Sequence, residues 1–162
     1  MKLYHGSNVK IEQIDLTKSR RGKDFGQGFY LNANYKQSLA MANRACRIAG
    51  SGAPIVTCFE FDIEAAKAAG LNIKVFDDYT IEWAEFIVKN RKNSSSQSIH
   101  TYDIVIGPIA DDTVGVQIRR YVQGYIPVER LVEELRYIGD RAVQYFFGTK
   151  KAISFLKPVN NE

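Results

Sequence analysis

The sequence predicts an α+β fold built on a mostly antiparallel sheet, and three observations carry that expectation. Short β-branched and aromatic runs at 54–61, 71–75, 102–106 and 143–147 mix with amphipathic stretches in no regular strand–helix–strand alternation. No internal repeat divides the 162 residues, a length that suits a single domain over 1–162. No G-x-G-x-x-G follows an expected strand, which argues against a Rossmann dinucleotide fold.

Taken in order, residues 2–5 read as a first short strand closed by Gly6-Ser7-Asn8, and a polar, basic loop follows through 17–23. Residues 28–31 form a second short strand. A helix starts after Asn34, whose side-chain oxygen suits an N-cap; Ala40, Met41, Ala45 and Ile48 recur at helical spacings, and Gly50-Ser51-Gly52 ends it. Residues 54–61 are a buried strand, 63–69 a short helix closed by Gly70, and 71–75 another strand. Residues 77–89 are amphipathic, with Ile81, Trp83, Ala84, Ile87 and Val88 on the apolar face and acids near the start, where they suit the helix dipole. The polar run 93–98 is a flexible loop, and 102–106 an apolar strand ended by Gly107-Pro108. Two helices at 111–122 and 127–137 follow, the second with Pro127 in its first turn. A strand at 143–147 and a short helix at 150–156 complete the chain.

A chain that is 45% hydrophobic and 25% charged has a globular rather than a disordered or fibrous balance. No apolar run is long enough for a bilayer, and residues 1–5 enter a strand without a signal-peptide core, so no membrane association and a cytoplasmic location are expected. Cys46 and Cys58 have no close-spaced Cys or His neighbours, which predicts free thiols and no metal site. The net charge of +4 reads as a mildly basic surface. Its two basic clusters, 18–23 and 89–92, are too short for a nucleic-acid tail, and no ladder of stacking aromatics accompanies them.

Two motifs stand out, Tyr4-His5-Gly6-Ser7 and Phe25-Gly26-Gln27-Gly28-Phe29-Tyr30-Leu31. Each pairs a polar ring-bearing residue with glycines that permit close approach to the backbone. They resemble the first two signature strands of the PARP-like, diphtheria-toxin-type ADP-ribosyltransferases, enzymes that split NAD at the nicotinamide–ribose bond. The run Tyr102-Asp103-Ile104-Val105-Ile106-Gly107-Pro108 with Asp111-Asp112, and the segment 144–156, are similar to a small bacterial branch of that clade, so the resemblance spans essentially the whole chain.

The resemblance implies a split, mostly antiparallel sheet with flanking helices, NAD as substrate, and no metal. His5 would hydrogen-bond the adenosine ribose, and Gly6, followed by Ser7, would offer its backbone to the carboxamide. Tyr30, reached through Gly28, would stack on the nicotinamide ring. Ser38 falls where relatives place a serine that holds the carboxamide. Met41 stands where a second aromatic commonly closes the sandwich, leaving it one-sided or completed by a sulfur contact. The chemistry agrees: nicotinamide leaves as an already cationic group, so such a site needs a gripped, bent dinucleotide and stabilisation of charge on the sugar rather than a strong nucleophile.

The third family position departs from the pattern. Relatives with full transferase activity carry a glutamate there, whereas Ala142-Val143-Gln144-Tyr145 aligns Gln144 with it. Glutamine can bridge a ribose hydroxyl but supplies no negative charge. Asp24, beside Arg20, Arg21 and Lys23, is a candidate acceptor base; Asp111 and Asp112 suit helix capping. Arg20 or Arg21 would contact the pyrophosphate, or the basic loop is simply solvated. His100 reads as a surface residue. Asn90-Arg91 ends a helix where a cation suits the dipole, with a pocket-supporting role as the alternative.

The leading expectation is a mono-ADP-ribosyltransferase modifying a macromolecular acceptor. The resemblance further implies a toxin, with a small neutralising antitoxin partner. The alternative is a catalytically silent NAD or ADP-ribose-binding module. Gln144→Ala is expected to lower NAD turnover at least tenfold in a nicotinamide-release assay; an unchanged rate removes Gln144 from the site.

Overall fold

A computed structural model of the chain describes residues 1–137 and 142–159. The strands are β1 (Lys2–Ser7), β2 (Phe29–Asn32), β3 (Ile55–Glu60), β4 (Ile73–Val75), β5 (Ile104–Pro108), β6 (Val143–Phe147) and β7 (Lys157–Val159). The helices are α1 (Tyr35–Ala49), α2 (Ile63–Ala68), α3 (Ile81–Lys92), α4 (Asp112–Val122), α5 (Val128–Arg136) and α6 (Lys150–Ile153). The architecture is α+β: one seven-stranded sheet in the order β4-β5-β6-β2-β1-β3-β7, flanked by helices, with only the β4–β5 pair parallel.

Alternation along the central strands divides the core in two, because successive strand side chains point to opposite faces. Val105 and Phe146 join Phe25, Trp83, Ile87, Val114, Ile118, Leu131 and Leu135 on the face covered by α3, α4 and α5. Ile104, Ile106 and Phe147 join Leu3, Phe29, Leu31, Phe59 and Phe61 on the other, with Ala66 of α2 and Ala152 of α6. β5 is buried along its whole length, as a strand flanked on both faces must be.

The helix caps follow local chemistry. The Asn34 side chain accepts from the N–H groups of Lys36 and Gln37, and Gly50 closes α1 at φ 65°. Asp62, Thr80, Asp111 and Thr149 cap α2, α3, α4 and α6 in the same manner.

Several boundaries differ from the sequence reading. β1 continues through Gly6 and Ser7 instead of turning there, because β3 pairs with it over six positions, from Lys2↔Glu60 to Ser7↔Ile55. The third helix starts four residues later than its amphipathic pattern, at the Thr80 cap. Pro127 occupies the N-cap position itself. The last helix is shorter than expected, and β7, which the sequence reading missed, pairs with β3. No helix among the described residues is long and apolar enough to cross a membrane.

The apolar spacing that marks α1 does not face the core. Met41 and Ile48 are 59% and 64% exposed, while the buried positions are the small Ser38 and Ala42. These small residues let α1 lie directly on β1. A Cβ at Gly6 would sit 1.8 Å from the Ser38 carbonyl oxygen and 2.8 Å from the Ala42 nitrogen, both backbone atoms. Gly6→Ala is therefore expected to cost on the order of 3 kcal/mol, since overpacking against backbone has no side chain to yield. The readout is thermal unfolding, with a fall of roughly 5–12 °C in Tm; an unchanged Tm refutes the packing account.

Candidate functional site

β1 pairs with β2 at a single register position, Tyr4↔Asn32, and beyond it the two strands part. His5 sits at the parting point. Its Nδ1 lies 2.8 Å from the Tyr30 carbonyl oxygen, and its ring stacks on Phe29 at 4.5 Å between centroids. A carbonyl only accepts, so Nδ1 carries the proton and Nε2 of the neutral ring is left as an acceptor. Burial lowers the His5 pKa, against the pull of the Tyr30 carbonyl, and the positive charge of Lys23 lowers it further.

Tyr30 is held from both sides of its oxygen. The hydroxyl donates to the Gly26 carbonyl at 2.7 Å and accepts from the Phe25 N–H at 3.1 Å. Burial keeps the phenol above the ordinary tyrosine range, so it stays protonated and keeps donating. The ring packs edge-on against Phe146 at 5.2 Å, and the Lys23 ammonium stands 4.8 Å from its centroid. Lys23 keeps much of its surface open to solvent, yet desolvation of its ammonium, and then the neighbouring Arg20, lower its pKa.

Two cavities meet here. One, of about 610 Å³, is lined by His5, Ser7, Gly28, Phe29 and Tyr30. The other, of about 760 Å³, is lined by Gly6, Arg20, Met41, Arg44 and Ile48. Lys23 and Asn8 line both, so the cavities are neighbours across the strand parting. Among the described residues neither Arg20 nor Lys23 takes part in an ion pair.

Gln144 projects from the same sheet face as Tyr30, because Tyr30↔Phe146 and Asn32↔Gln144 are register pairs two residues apart. Its Nε2 donates to Asp24 Oδ2 at 3.4 Å, while Asp24 Oδ1 accepts from Arg91 Nε at 2.7 Å. Arg91 thus holds Asp24 from the last turn of α3. Ser38 is buried, and its hydroxyl donates to the Tyr4 carbonyl at 3.1 Å. Ser7 Oγ accepts from the Val9 N–H at 3.4 Å. The glycines have internal reasons as well: a Cβ at Gly28 would lie 2.3 Å from the Phe146 ring, as one at Gly6 would strike α1.

His100 is not a surface residue. Its Nε2 donates to the Phe25 carbonyl at 2.7 Å, its Nδ1 accepts from the Tyr102 N–H at 3.2 Å, and Phe86, Tyr102 and Phe146 surround the ring. It latches the Phe25-Gly26 turn that grips Tyr30. The polar spacing around it carried no sign of this, since Phe25 is 75 positions away. In the 93–98 loop, Asn93 Nδ2 donates to the Gln97 carbonyl at 2.8 Å, and Arg21 donates to the Ser94 carbonyl at 3.2 Å.

Burial lowers the pKa of His5 and His100 below 6.5. Both are neutral in folded and unfolded chains above that value, where their contribution is fully present. As pH falls through 6.5 the unfolded chain takes up protons first, and stability drops until the lower native values are passed. The urea midpoint should thus be lower at pH 5 than at pH 7.5. His100→Gln, which keeps a donor for Phe25 and does not titrate, should flatten that loss; an identical slope in the variant excludes His100 as a contributor.

Searches of curated proteins and of solved structures each return no match for this chain. One family model matches residues 1–157, that of the protein of unknown function DUF3990. With nearly its entire length covered by that model, the chain belongs to the DUF3990 family.

Proposed function

We propose that this protein is an NAD-dependent mono-ADP-ribosyltransferase that modifies a macromolecular target. The observation that carries the reading is the pairing of His5 with Tyr30 where β1 and β2 part. The half-buried imidazole presents a bare Nε2, an acceptor suited to a ribose hydroxyl. The phenol ring is immobilised by two hydrogen bonds and offers a rigid platform for a flat ring. That platform already hosts a cation, Lys23, by cation–π attraction. The nicotinamide ring of NAD is itself cationic, so the same face suits it once Lys23 swings aside. Arg20 and Lys23, without ion-pair partners among the described residues, suit the diphosphate.

In the proposed reaction the bond between the ribose carbon and the nicotinamide nitrogen breaks, and its electron pair leaves with neutral nicotinamide. A nucleophilic atom of the acceptor bonds the same carbon and gives its proton to solvent. This chain's part is to bend and hold the dinucleotide, which suits a site without a strong nucleophile. The toxin role and the small neutralising partner belong to the same proposal.

One observation favours a second reading, a binding module without turnover: Gln144 brings no charge of its own to the sugar. Incubation with NAD, followed by chromatography of free nicotinamide, separates the two. Release is expected, with a loss of at least tenfold in His5→Ala and Tyr30→Ala variants that retain their fold by circular dichroism. NAD binding in calorimetry without release establishes the module instead, and neither binding nor release refutes both.

A further inference from the structure

Asp24, Gln144 and Arg91 come from a loop, a central strand and a helix end, 67 and 120 positions apart in sequence from Asp24. They meet in a partly buried place, with 16% of the Asp24 side chain and 29% of the Arg91 side chain exposed. A carboxylate only accepts, so the contact at 3.4 Å fixes the Gln144 amide: Nε2 faces Asp24, and Oε1 is turned away from it. The Arg91 guanidinium fixes the other Asp24 oxygen. Turning the Gln144 amide over would set its Oε1 against the Asp24 carboxylate oxygen, acceptor against acceptor, so the contact favours this orientation.

Glutamate at position 144 would place a second carboxylate against Asp24, and two such groups cannot both ionise without mutual repulsion. Glutamine is therefore the residue that Asp24 calls for at 144, rather than a lost carboxylate. Asp24 also acts electrostatically on both Tyr30 and Lys23, which puts its charge beside the aromatic platform.

We propose that Asp24 supplies the negative charge of this site and acts through Gln144: the anchored carboxylate orients and polarises the amide, whose Oε1 accepts a ribose hydroxyl. Asp24 is then a positioning residue and Gln144 the group that touches substrate. The inference rests on the NAD-splitting reading for its consequence in turnover, and on geometry alone for the pairing.

The test is a reciprocal exchange, with Gln144→Glu, Asp24→Asn and the double variant Gln144→Glu/Asp24→Asn assayed for nicotinamide release and thermal unfolding. Each single variant should lose at least tenfold in kcat with KM for NAD within about threefold. Gln144→Glu should also gain a pH dependence, rising as the paired carboxylates take up a shared proton. The double variant, in which carboxylate and amide trade places, should return to within about threefold of wild type in kcat and lose that pH dependence. A Gln144→Glu variant faster than wild type, or an Asp24→Asn variant at full rate, overturns the proposal. If wild type releases no nicotinamide, the functional reading fails separately. The pairing is then judged on Tm, which should fall in Gln144→Glu and recover in the double variant; no recovery overturns it.

Discussion

The hydrogen bond from His5 Nδ1 to the Tyr30 carbonyl holds β1 and β2 together after their ladder has ended. Strands that part expose backbone groups which must find other partners. Here an imidazole takes up one of them, and in doing so its tautomer is set and its remaining nitrogen becomes an acceptor. The same bond determines where Tyr30 stands, since its carbonyl is fastened to β1 while its side chain is fastened to the Phe25-Gly26 turn. His5 and Tyr30 line one of the two cavities here, and Gly6 lines the other.

The loop between β1 and β2 is organised by side chains rather than by secondary structure. Gln27 Nε2 donates to the carbonyls of Thr17 and Ser19, Tyr30 and His100 grip the 25–26 turn, and Arg91 holds Asp24. Each tie is modest alone, roughly 1 kcal/mol for a neutral hydrogen bond. Together they come from β2, α3 and the approach to β5, so the loop is positioned by several elements at once. This explains how an irregular, basic segment can present Lys23 and Asp24 to one ring with opposite charges and fixed places.

Packing at α1 follows a different logic from packing at the other helices. α3, α4 and α5 bury Trp, Leu, Ile and Val, and the area they remove from water is the main source of stability. α1 buries only Ser38 and Ala42, and gains closeness instead of area. That closeness puts the helix directly over Gly6 and leaves Met41, Arg44 and Ile48 along the wall of the second cavity.

Local chemistry in the sequence was enough for most elements. The Asn34 cap, the Gly50 stop, the Asp111 cap and the β-branched and aromatic run 143–147 act over a few residues, so their outcome is legible without the fold. Placement of the α1 apolar stripe toward solvent, the partial burial of His100 and the pairing of β7 with β3 were not, because each is decided by a partner far along the chain. The meeting of Asp24, Arg91 and Gln144 is the clearest instance: the sequence names three polar residues, and only the sheet order and the end of α3 bring them within hydrogen-bonding reach.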